Sequence, residues 1–313
     1  MISRRHIRVK VMQSLYSYFS NPSNEIDIAE KEMLKDFRSV PELQVVLFSF
    51  ILELHRYASE FMEENKSKYI PTDDDINPNT KFLTNKIILS LLEDEILVKK
   101  TTRISSIWRK GELDIIRKVF VDMIKSDQYK DYLSSKKTSF NEDKRFIQLM
   151  LNEFVLDNEI IHHILQERSI FWLDDLPFIA LFMKGQINNM KEGKSASVIV
   201  DVFKNSDDKK FAVDLFRKTI YSAEEYSILV ESKVKNWELE RISKMDLLLI
   251  KMAITEVVSF SEMPIKVSFN EYLEISKYYS SKNSKLFING VLDKIVSQFK
   301  REGKIKKIGR GLV

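Results

Sequence analysis

The chain has 313 residues, of which 44% are hydrophobic and 31% charged, a balance typical of a globular protein with a sizeable core. It holds only 7 Gly and 6 Pro, too few for a β-sandwich or barrel with many tight turns, or for a glycine-rich nucleotide-binding fold. The absence of cysteine excludes a disulfide framework, Cys-ligated zinc and a thiol nucleophile. The most apolar run, at 43–52, is about half the length of a membrane span, and no apolar signal segment begins the chain, so we expect a cytoplasmic protein without a membrane partner.

The formal net charge of +4 is unevenly distributed along the chain. Residues 1–20 carry four cations and no acid, and residues 300–313 carry six cations and one acid, so the remainder of the chain is acidic. A polyanion is the expected partner of such basic ends. For the basic tail at 303–313, which we expect to be disordered, improved solubility is an equal alternative.

Apolar residues recur with the helical period along nearly the whole chain, and no run alternates as a strand would. In the first helix, one stripe is expected to face the core, formed by Val11, Met12, Leu15 and Phe19. The first two turns of that helix, which hold the cations, are expected to extend beyond the core. Further helices are predicted at 25–38, 42–68, 80–100, 110–133, 142–168, 174–191, 195–204, 208–234, 243–260, 266–279 and 284–301. The predicted fold class is all-α.

The C-terminal third carries the clearest local signals. Ser243 and Asp246 have the spacing of a capping box, and the helix behind them is apolar on most sides, which predicts a central position in its bundle. Ser284 is predicted to cap the last helix. Gly290 lies inside that helix, where glycine costs about 1 kcal/mol relative to alanine. We therefore expect another helix or a partner to approach its backbone closely.

No catalytic motif is present: the phosphate-binding GxxxxGK[ST] and the GxGxxG, HExxH and GxSxG patterns are all missing. His162 and His163 are adjacent, so on a helix they point about 100° apart and cannot chelate one ion. The acidic runs at 73–75 and 174–175 lack the spacing of a calcium loop and suit helix capping or solvated loops. We expect neither an enzyme nor a metal or cofactor site.

Three stretches together resemble the NusB family of transcription antitermination factors, in its long variant with a large central insertion. They are the arginine-rich start followed by VMQSLYSY at 11–18, the segment KNWELERI at 235–242 with the apolar helix behind it, and the pair MPIKVSFNE at 263–271 and SKLFINGVLDK at 284–294. The stretches occur in the family's order, and three weak motifs in sequence are far more specific than any one alone.

The resemblance implies a core of NusB-like helical bundles with an inserted helical region. The expected parts are a first helix at 1–22 with the RNA-binding end, an insertion of unknown role at 23–205, a C-terminal bundle at 206–302 and the basic tail at 303–313. It also implies a non-enzymatic factor that binds boxA-like single-stranded leader RNA together with the ribosomal protein NusE. The family acts within the antitermination complex on RNA polymerase, in transcription of ribosomal RNA operons.

Positions that match the family's motifs give the candidate site residues. The RNA-binding set is Arg4, Arg5, Arg8, Lys10, Tyr16, Ser284, Lys285 and Phe287, and the NusE-binding set is Glu240 and Asp246. Leu286 stands where the family commonly has a lysine, and Ser280 replaces a frequent glycine. The RNA edge formed by the last helix is therefore expected to be weaker in this chain.

The cations of the first helix lie at its unfavourable end, because a helix N-terminus disfavours each by about 0.3–1 kcal/mol. Since four like charges are not expected to be buried, we expect the protein to leave them unpaired so that phosphates neutralise them. Tyr16 and Phe287 are expected either to stack on unpaired bases or to pack in the core. Two alternatives for the whole chain are a helical scaffold that binds only proteins, and an RNA-modifying enzyme, which the missing glycine-rich loop disfavours.

Overall fold

The computed structural model of the protein describes residues 2–21, 25–108, 115–136, 138–194, 198, 201–234 and 242–309. Among these residues the regular secondary structure is helical and no strand occurs, which confirms the predicted all-α class. The α-helices are α1 (Arg4–Ser20), α2 (Ile26–Lys66), α3 (Asp73–Ile76), α4 (Lys86–Leu92), α5 (Glu95–Ile104), α6 (Ile115–Lys125), α7 (Asp127–Ser134), α8 (Phe140–Leu151), α9 (Glu159–Arg168), α10 (Trp172–Asn189), α11 (Ser206–Tyr221), α12 (Ala223–Lys233), α13 (Lys244–Ser259), α14 (Ile265–Tyr279) and α15 (Ser284–Arg301).

The chain divides into two compact units. Unit 1 comprises Met1–Phe37 and Val202–Val313, and unit 2 comprises Arg38–Asp201. The first helix and the C-terminal helices therefore belong to the same unit, although they are far apart in sequence. The insertion limits at 23 and 205 stay predictions, since compactness places the divisions at somewhat different residues.

Unit 1 is built around α13, which packs against α11, α14 and α15, with α1 beside α11 and α13. The predicted central position of α13 is confirmed, because most of its apolar residues are buried. In α1 the predicted stripe is buried at Val11, Met12 and Leu15, and Ile7 is buried as well. Phe19 was expected in the core but is 43% exposed, because it lies in the last turn of α1 at the edge of the bundle.

Unit 2 has its own core, in which several polar side chains are buried with partners. Trp108 donates its indole N–H to the hydroxyl of Ser49 at 2.8 Å. Asp143 accepts the backbone N–H of Lys86 at 2.9 Å and the phenol of Tyr132 at 2.7 Å, and it thereby joins α8 to the start of α4 and to α7. Because buried polar groups are costly without partners, these bonds fix how the helices of unit 2 pack.

Pro41 does not divide α2 as the sequence suggested. The stretches 25–38 and 42–68 were predicted as separate helices, whereas Ile26–Lys66 is one. Proline in a helix interior lacks the N–H that would donate to the carbonyl of residue i−4, here Phe37, but it keeps a helical φ. Val40 and Leu43 on either side are buried, so burial of the flanking residues compensates for the lost bond.

Other predicted helices are divided where asparagine or aspartate side chains begin a new one. Asp94 accepts the N–H groups of Ile96 and Leu97, so the helix predicted at 80–100 is split into α4 and α5. In the same way, the helix predicted at 142–168 is interrupted by a π-helical turn at Asn152–Leu156 and a new start capped by Asn158. Three more predictions failed: the helix at 110–133 is divided into α6 and α7 at Ser126, the helix at 208–234 is divided into α11 and α12, and the residues that the structure describes between 198 and 204 are not helical.

The described part of the basic tail, through residue 309, lies against the turn between α13 and α14. The backbone N–H of Ile308 donates to the carbonyl of Ser261 at 3.1 Å, and the Lys307 ammonium donates to the carbonyl of Phe260 at 2.9 Å. The disorder expected for the tail is therefore wrong for these residues. Partial burial lowers the pKa of Lys307.

Candidate nucleic-acid interface

The first turn of α1 carries two half-exposed arginines, each held by a carboxylate of unit 1. The helix is capped by Ser3, whose hydroxyl accepts the N–H of His6 at 3.2 Å. Arg4 Nε donates to Asp208 at 3.0 Å, and Arg5 donates through Nε and Nη2 to the two oxygens of Glu271 at 2.8 and 2.9 Å. The bonds to Glu271 raise the pKa of Arg5. The expectation that these guanidinium groups lack protein partners is therefore wrong.

Both arginines nevertheless keep an open edge. A guanidinium has five N–H donors. Arg5 uses two of them on Glu271, and Arg4 uses one on Asp208 and one on the sulfur of Met263 at 3.4 Å. The side chains of Arg4 and Arg5 are 41% and 51% exposed, so both remain partly accessible to solvent beyond these bonds.

Arg8, one turn further along α1, is buried in the centre of unit 1. Its Nε and Nη2 donate to the two oxygens of Glu256 at 2.7 and 2.6 Å, and both side chains are 1% exposed or less. Ser268 and Tyr272 donate their hydroxyls to the same carboxylate at 2.7 and 2.9 Å, and the Phe211 ring lies 5.2 Å from the guanidinium carbon. Burial lowers the pKa of Arg8, but the bonds to Glu256 and its charge outweigh burial, so the pKa is raised overall.

Lys10 is also 1% exposed and is engaged in interactions within the protein. The predicted RNA-binding set therefore needs correction at Arg8 and Lys10, whose side chains do not reach the surface. The expectation that the first two turns extend beyond the core holds only for Arg4 and Arg5. The physical reason is that Glu256, placed on the central helix α13, supplies the opposite charge that makes burial of a guanidinium tolerable.

The charges of the exposed cations Lys285 and Arg5 both act on one carboxylate, that of Glu274. Glu274, one turn after Glu271 on α14, has its pKa lowered by a hydrogen bond from Lys277 and also by the charges of Lys285 and Arg5. Lys285, in the first turn of α15, is exposed. Arg5 and Lys285, which lie far apart in the sequence, therefore both influence Glu274 electrostatically.

Tyr16 lies in a different place, beside the start of α13. It is 42% exposed and lines a groove of about 220 Å³ together with Phe19, Leu247, Lys244 and Lys251. Eleven residues of helix separate it from Arg5, which corresponds to about 16 Å along the helix axis. The groove lined by Tyr16 and Phe19, here called the aromatic groove, and the exposed pair Arg4 and Arg5, here called the arginine tip, therefore lie at two separate places on unit 1.

Lys251 and Phe19 were not among the predicted site residues. The Lys251 ammonium lies 5.5 Å from the centre of the Phe19 ring, and partial burial lowers its pKa. Phe19 was missed because it continues the apolar stripe of α1, and Lys251 because it lies within an otherwise apolar helix. The signal that sequence offered was the lysine itself, since a cation in a buried helix must reach the surface or a partner.

The region around Asp246 is buried and joins three helices. Ser243 caps α13 by accepting the N–H of Asp246 at 3.0 Å, as the sequence predicted. The Asp246 carboxylate, however, accepts the hydroxyls of Ser280 and, at 2.8 Å, of Ser284. Asp246 is only 7% exposed, so its expected direct contact with a partner needs correction to a structural role.

Ser284 was predicted both as a helix cap and as an RNA contact. It is 2% exposed, it is the first residue of α15, and Asn283 occupies the cap position without a side-chain bond. Its hydroxyl faces Asp246, so the capping prediction was wrong and direct RNA contact is not available to it. Phe287 is partly exposed and contacts other residues of the protein. Glu240 lies outside the described residues.

Gly290 has open space where a Cβ would lie, with no atom within 4 Å. The close approach of another helix that the sequence suggested is therefore not found among the described residues. Among the described residues, no group of three His, Asp or Glu is placed to hold a metal ion. The helices in the described ranges include none that is long and apolar enough to cross a membrane.

Comparison with known proteins gives one consistent result. A family model described as the NusB family matches residues 179–297. The transcription antitermination protein NusB of Salinibacter ruber (strain DSM 13855 / M31) is 41% identical over 118 residues, which are 38% of this chain and 74% of the relative. No solved structure matches.

Two further relatives carry the same name. That of Chloroherpeton thalassium (strain ATCC 35110 / GB-78) is 34% identical over 130 residues, 41% of this chain and 62% of the relative. That of Acetivibrio thermocellus is 37% identical over 92 residues, 29% of this chain and 63% of the relative, so the chain covers less than two thirds of both.

The family match begins within α10, upstream of residue 206, where the sequence analysis places the start of the C-terminal bundle. It includes α13, α14 and the first part of α15 up to residue 297. The arginines of α1 lie outside the matched range, so their role is argued from their geometry.

Proposed function

The chain belongs to the NusB family, and on this premise we propose that it is an RNA-binding transcription antitermination factor. It binds boxA-like single-stranded leader RNA together with the ribosomal protein NusE and acts in the antitermination complex on RNA polymerase, in ribosomal RNA operons. The relatives named above, which are transcription antitermination proteins, support this role. The role requires no catalytic step and no cofactor.

The observation that carries the proposal is the open edge of Arg4 and Arg5. A guanidinium held on one side by a carboxylate is already ordered, so less side-chain entropy is lost when its other donors bind a phosphate. Each arginine has three N–H donors that the described contacts leave unused. Arg8 and Lys10 take no direct part, and Arg8 holds the tip of α1 to α13.

A single RNA strand would contact both the arginine tip and the aromatic groove. At the tip, Arg4, Arg5 and Lys285 meet phosphates, which gives salt-dependent affinity. In the groove, the exposed ring of Tyr16 stacks on an unpaired base, and Lys251, which lines the same groove, meets an adjacent phosphate. Recognition of single-stranded RNA uses both kinds of contact.

NusE binding is assigned by position in the family's motifs, with Glu240 as a contact. Asp246 acts indirectly in this proposal, because it holds Ser280 and Ser284 and so sets the start of α15. The partly exposed Phe287 lies in the first turn of that helix and is proposed to contact the RNA at the edge of the RNA-binding surface.

The test is RNA binding by the full chain, with and without NusE, measured by the fluorescence anisotropy of a labelled boxA-like RNA. The variant R4Q/R5Q is expected to lose about tenfold or more in affinity, because two phosphate contacts are removed. The matched control is K31Q/K35Q, which removes two exposed cations from α2 of the same unit. The loss should be equal for related and scrambled sequences, since phosphate contacts carry no sequence information.

A helical scaffold that binds only proteins predicts a different result. In that case the full chain has no measurable affinity for the RNA, alone or with NusE, and R4Q/R5Q changes nothing. Retention of NusE in a pull-down without any RNA would then favour the scaffold.

A further inference from the structure

Unit 2 has an open cleft that the proposed RNA-binding role does not use. Its volume is about 480 Å³, within the range of ligand-binding clefts. Its walls come from α2, from α5 with the following 3₁₀ turn at Ser105–Ile107, and from the end of α9 and the start of α10. All of its lining residues belong to unit 2.

The floor of the cleft is apolar and held in place by packing. Val45, Val46, Ile107 and Trp172 line it, and each is at most 7% exposed. Trp172 also donates its indole N–H to the carbonyl of Ser39 at 3.2 Å, which joins α10 to α2 across the base of the cleft. The floor is therefore formed before any ligand arrives.

The rim of the cleft is cationic. Arg38, Lys100, Arg103 and Arg168 line it, against the single acid Glu42. In the ranges that the structure describes, no carboxylate forms an ion pair with Lys100, Arg103 or Arg168, and all three are exposed. A concave apolar surface with a rim of one sign attracts a ligand of the opposite sign.

We propose that this cleft is a docking site for an acidic amphipathic helix of a protein partner. The apolar face of that helix inserts its side chains into the floor, and its carboxylates meet Lys100, Arg103 and Arg168. This is the helix-in-groove mode of recognition with charge complementarity at the rim.

The chemistry of the cleft favours this occupant over the other polyanions. Single-stranded RNA needs exposed aromatic faces on which bases stack, whereas the floor is mainly aliphatic and its Trp172 is buried. A lipid surface needs apolar side chains that project outward, whereas Val45, Val46 and Ile107 are recessed beneath the rim. A side chain that projects from a bound helix can reach these recessed residues, whereas a flat bilayer cannot.

The experiment uses the full chain and a fluorescein-labelled 14-residue peptide. The peptide has leucine at helical positions i, i+3, i+4 and i+7 on one face and glutamate on the others, and a second peptide replaces every glutamate with lysine. Saturable binding of the acidic peptide is expected in fluorescence anisotropy. The variant K100E/R103E is expected to weaken it about tenfold or more, because two attractions become repulsions.

The matched control is K99E/K118E, which makes the same charge change on exposed lysines of unit 2 outside the cleft lining. It should leave peptide affinity within about twofold of the wild-type value. A second variant, I104Q, places an amide on the partly exposed wall and should weaken the peptide without changing net charge. Thermal unfolding of each variant shows that the fold is intact.

Four results would overturn the proposal: no saturable binding of the acidic peptide, equal binding of the lysine peptide, an equal loss in the control, or no loss in K100E/R103E. Binding of oligo(U) or of phosphatidylglycerol vesicles that K100E/R103E abolishes, while peptide binding persists, would assign the cleft to RNA or lipid instead. The proposal is independent of the antitermination role. Affinity for boxA-like RNA reports on that role separately.

Discussion

The first and second turns of α1 place the same kind of residue in opposite environments. Arg4 and Arg5 are 41% and 51% exposed and share their guanidinium groups between a carboxylate and solvent. Arg8 and Lys10, three to six residues later, are 1% exposed. Charge alone therefore does not decide which cations of a basic cluster are available to a partner. Their position on the helix and the carboxylates of neighbouring helices decide it.

The neighbouring helices explain the contrast. Arg8 lies on the face of α1 that packs against α13 and α14, where Glu256 and two hydroxyls meet its charge. Arg5 lies at the edge of the contact between α1 and α14 and donates to Glu271 from the solvent-exposed side. A buried charge pair fixes the position of α1, and the exposed pair orders a side chain that still has open donors.

The largest effect on stability is expected when the buried pair Arg8–Glu256 is broken. Replacement of Glu256 by glutamine leaves the Arg8 charge buried without a counter-charge and should lower the free energy of unfolding by about 3–5 kcal/mol. Urea unfolding of the full chain measures this. The control is E262Q at an exposed loop position, and a loss under about 1 kcal/mol at Glu256 would contradict the structural role of the pair.

A smaller loss of stability is expected at Asp246. Asparagine there keeps one of two acceptors for the hydroxyls of Ser280 and Ser284, so the free energy of unfolding should fall by about 1–3 kcal/mol. Lysine at the same position should do more harm, since it buries an uncompensated charge. An unchanged urea midpoint for D246N would show that Asp246 is not held as described.

The next prediction concerns RNA affinity at the aromatic groove, which lies at the other end of α1. The variant Y16A should lower affinity for boxA-like RNA by about 1–3 kcal/mol, the value of one stacked base, without changing the slope of affinity against salt. Tyr278, which is 83% exposed on α14, supplies the control Y278A. Equal affinities for Y16A and the wild type would remove Tyr16 from the interface.

The smallest effect on stability is expected when the exposed Arg5 is replaced. The pair Arg5–Glu271 is bidentate but accessible to water, so R5Q should change the free energy of unfolding by less than about 1 kcal/mol. Urea unfolding in low and high salt measures it. A loss as large as that of E256Q would mean that the first turn is structural as well.

The sequence predicted the fold class and much of the local structure of unit 1. The apolar period placed α1, α13, α14 and α15, and the spacing of Ser243 and Asp246 marked the start of α13 correctly. These predictions succeeded because period and capping are local properties. The family resemblance, which the relatives confirm, rested on local motifs as well.

The pairing of charges could not be predicted in the same way, because it depends on contacts over more than 200 positions. Arg8 and Glu256 are 248 residues apart, and Arg5 and Glu271 are 266 apart. One signal was present: Glu256 is the acid in the second half of the apolar helix α13, where a carboxylate is costly without a buried cation. Reading that acid together with the basic start of α1 would have predicted the buried pair.

The most direct measurement of the central claim is the salt dependence of RNA affinity for R5Q and the wild type. If the open edge of Arg5 meets a phosphate, the slope of log K against log salt should be smaller in R5Q by about 0.7, the value for one contact on a single strand. Affinity should fall for every RNA sequence, while the urea midpoint hardly moves. An unchanged slope, with RNA still bound, would contradict the account, because Arg5 would then serve only Glu271.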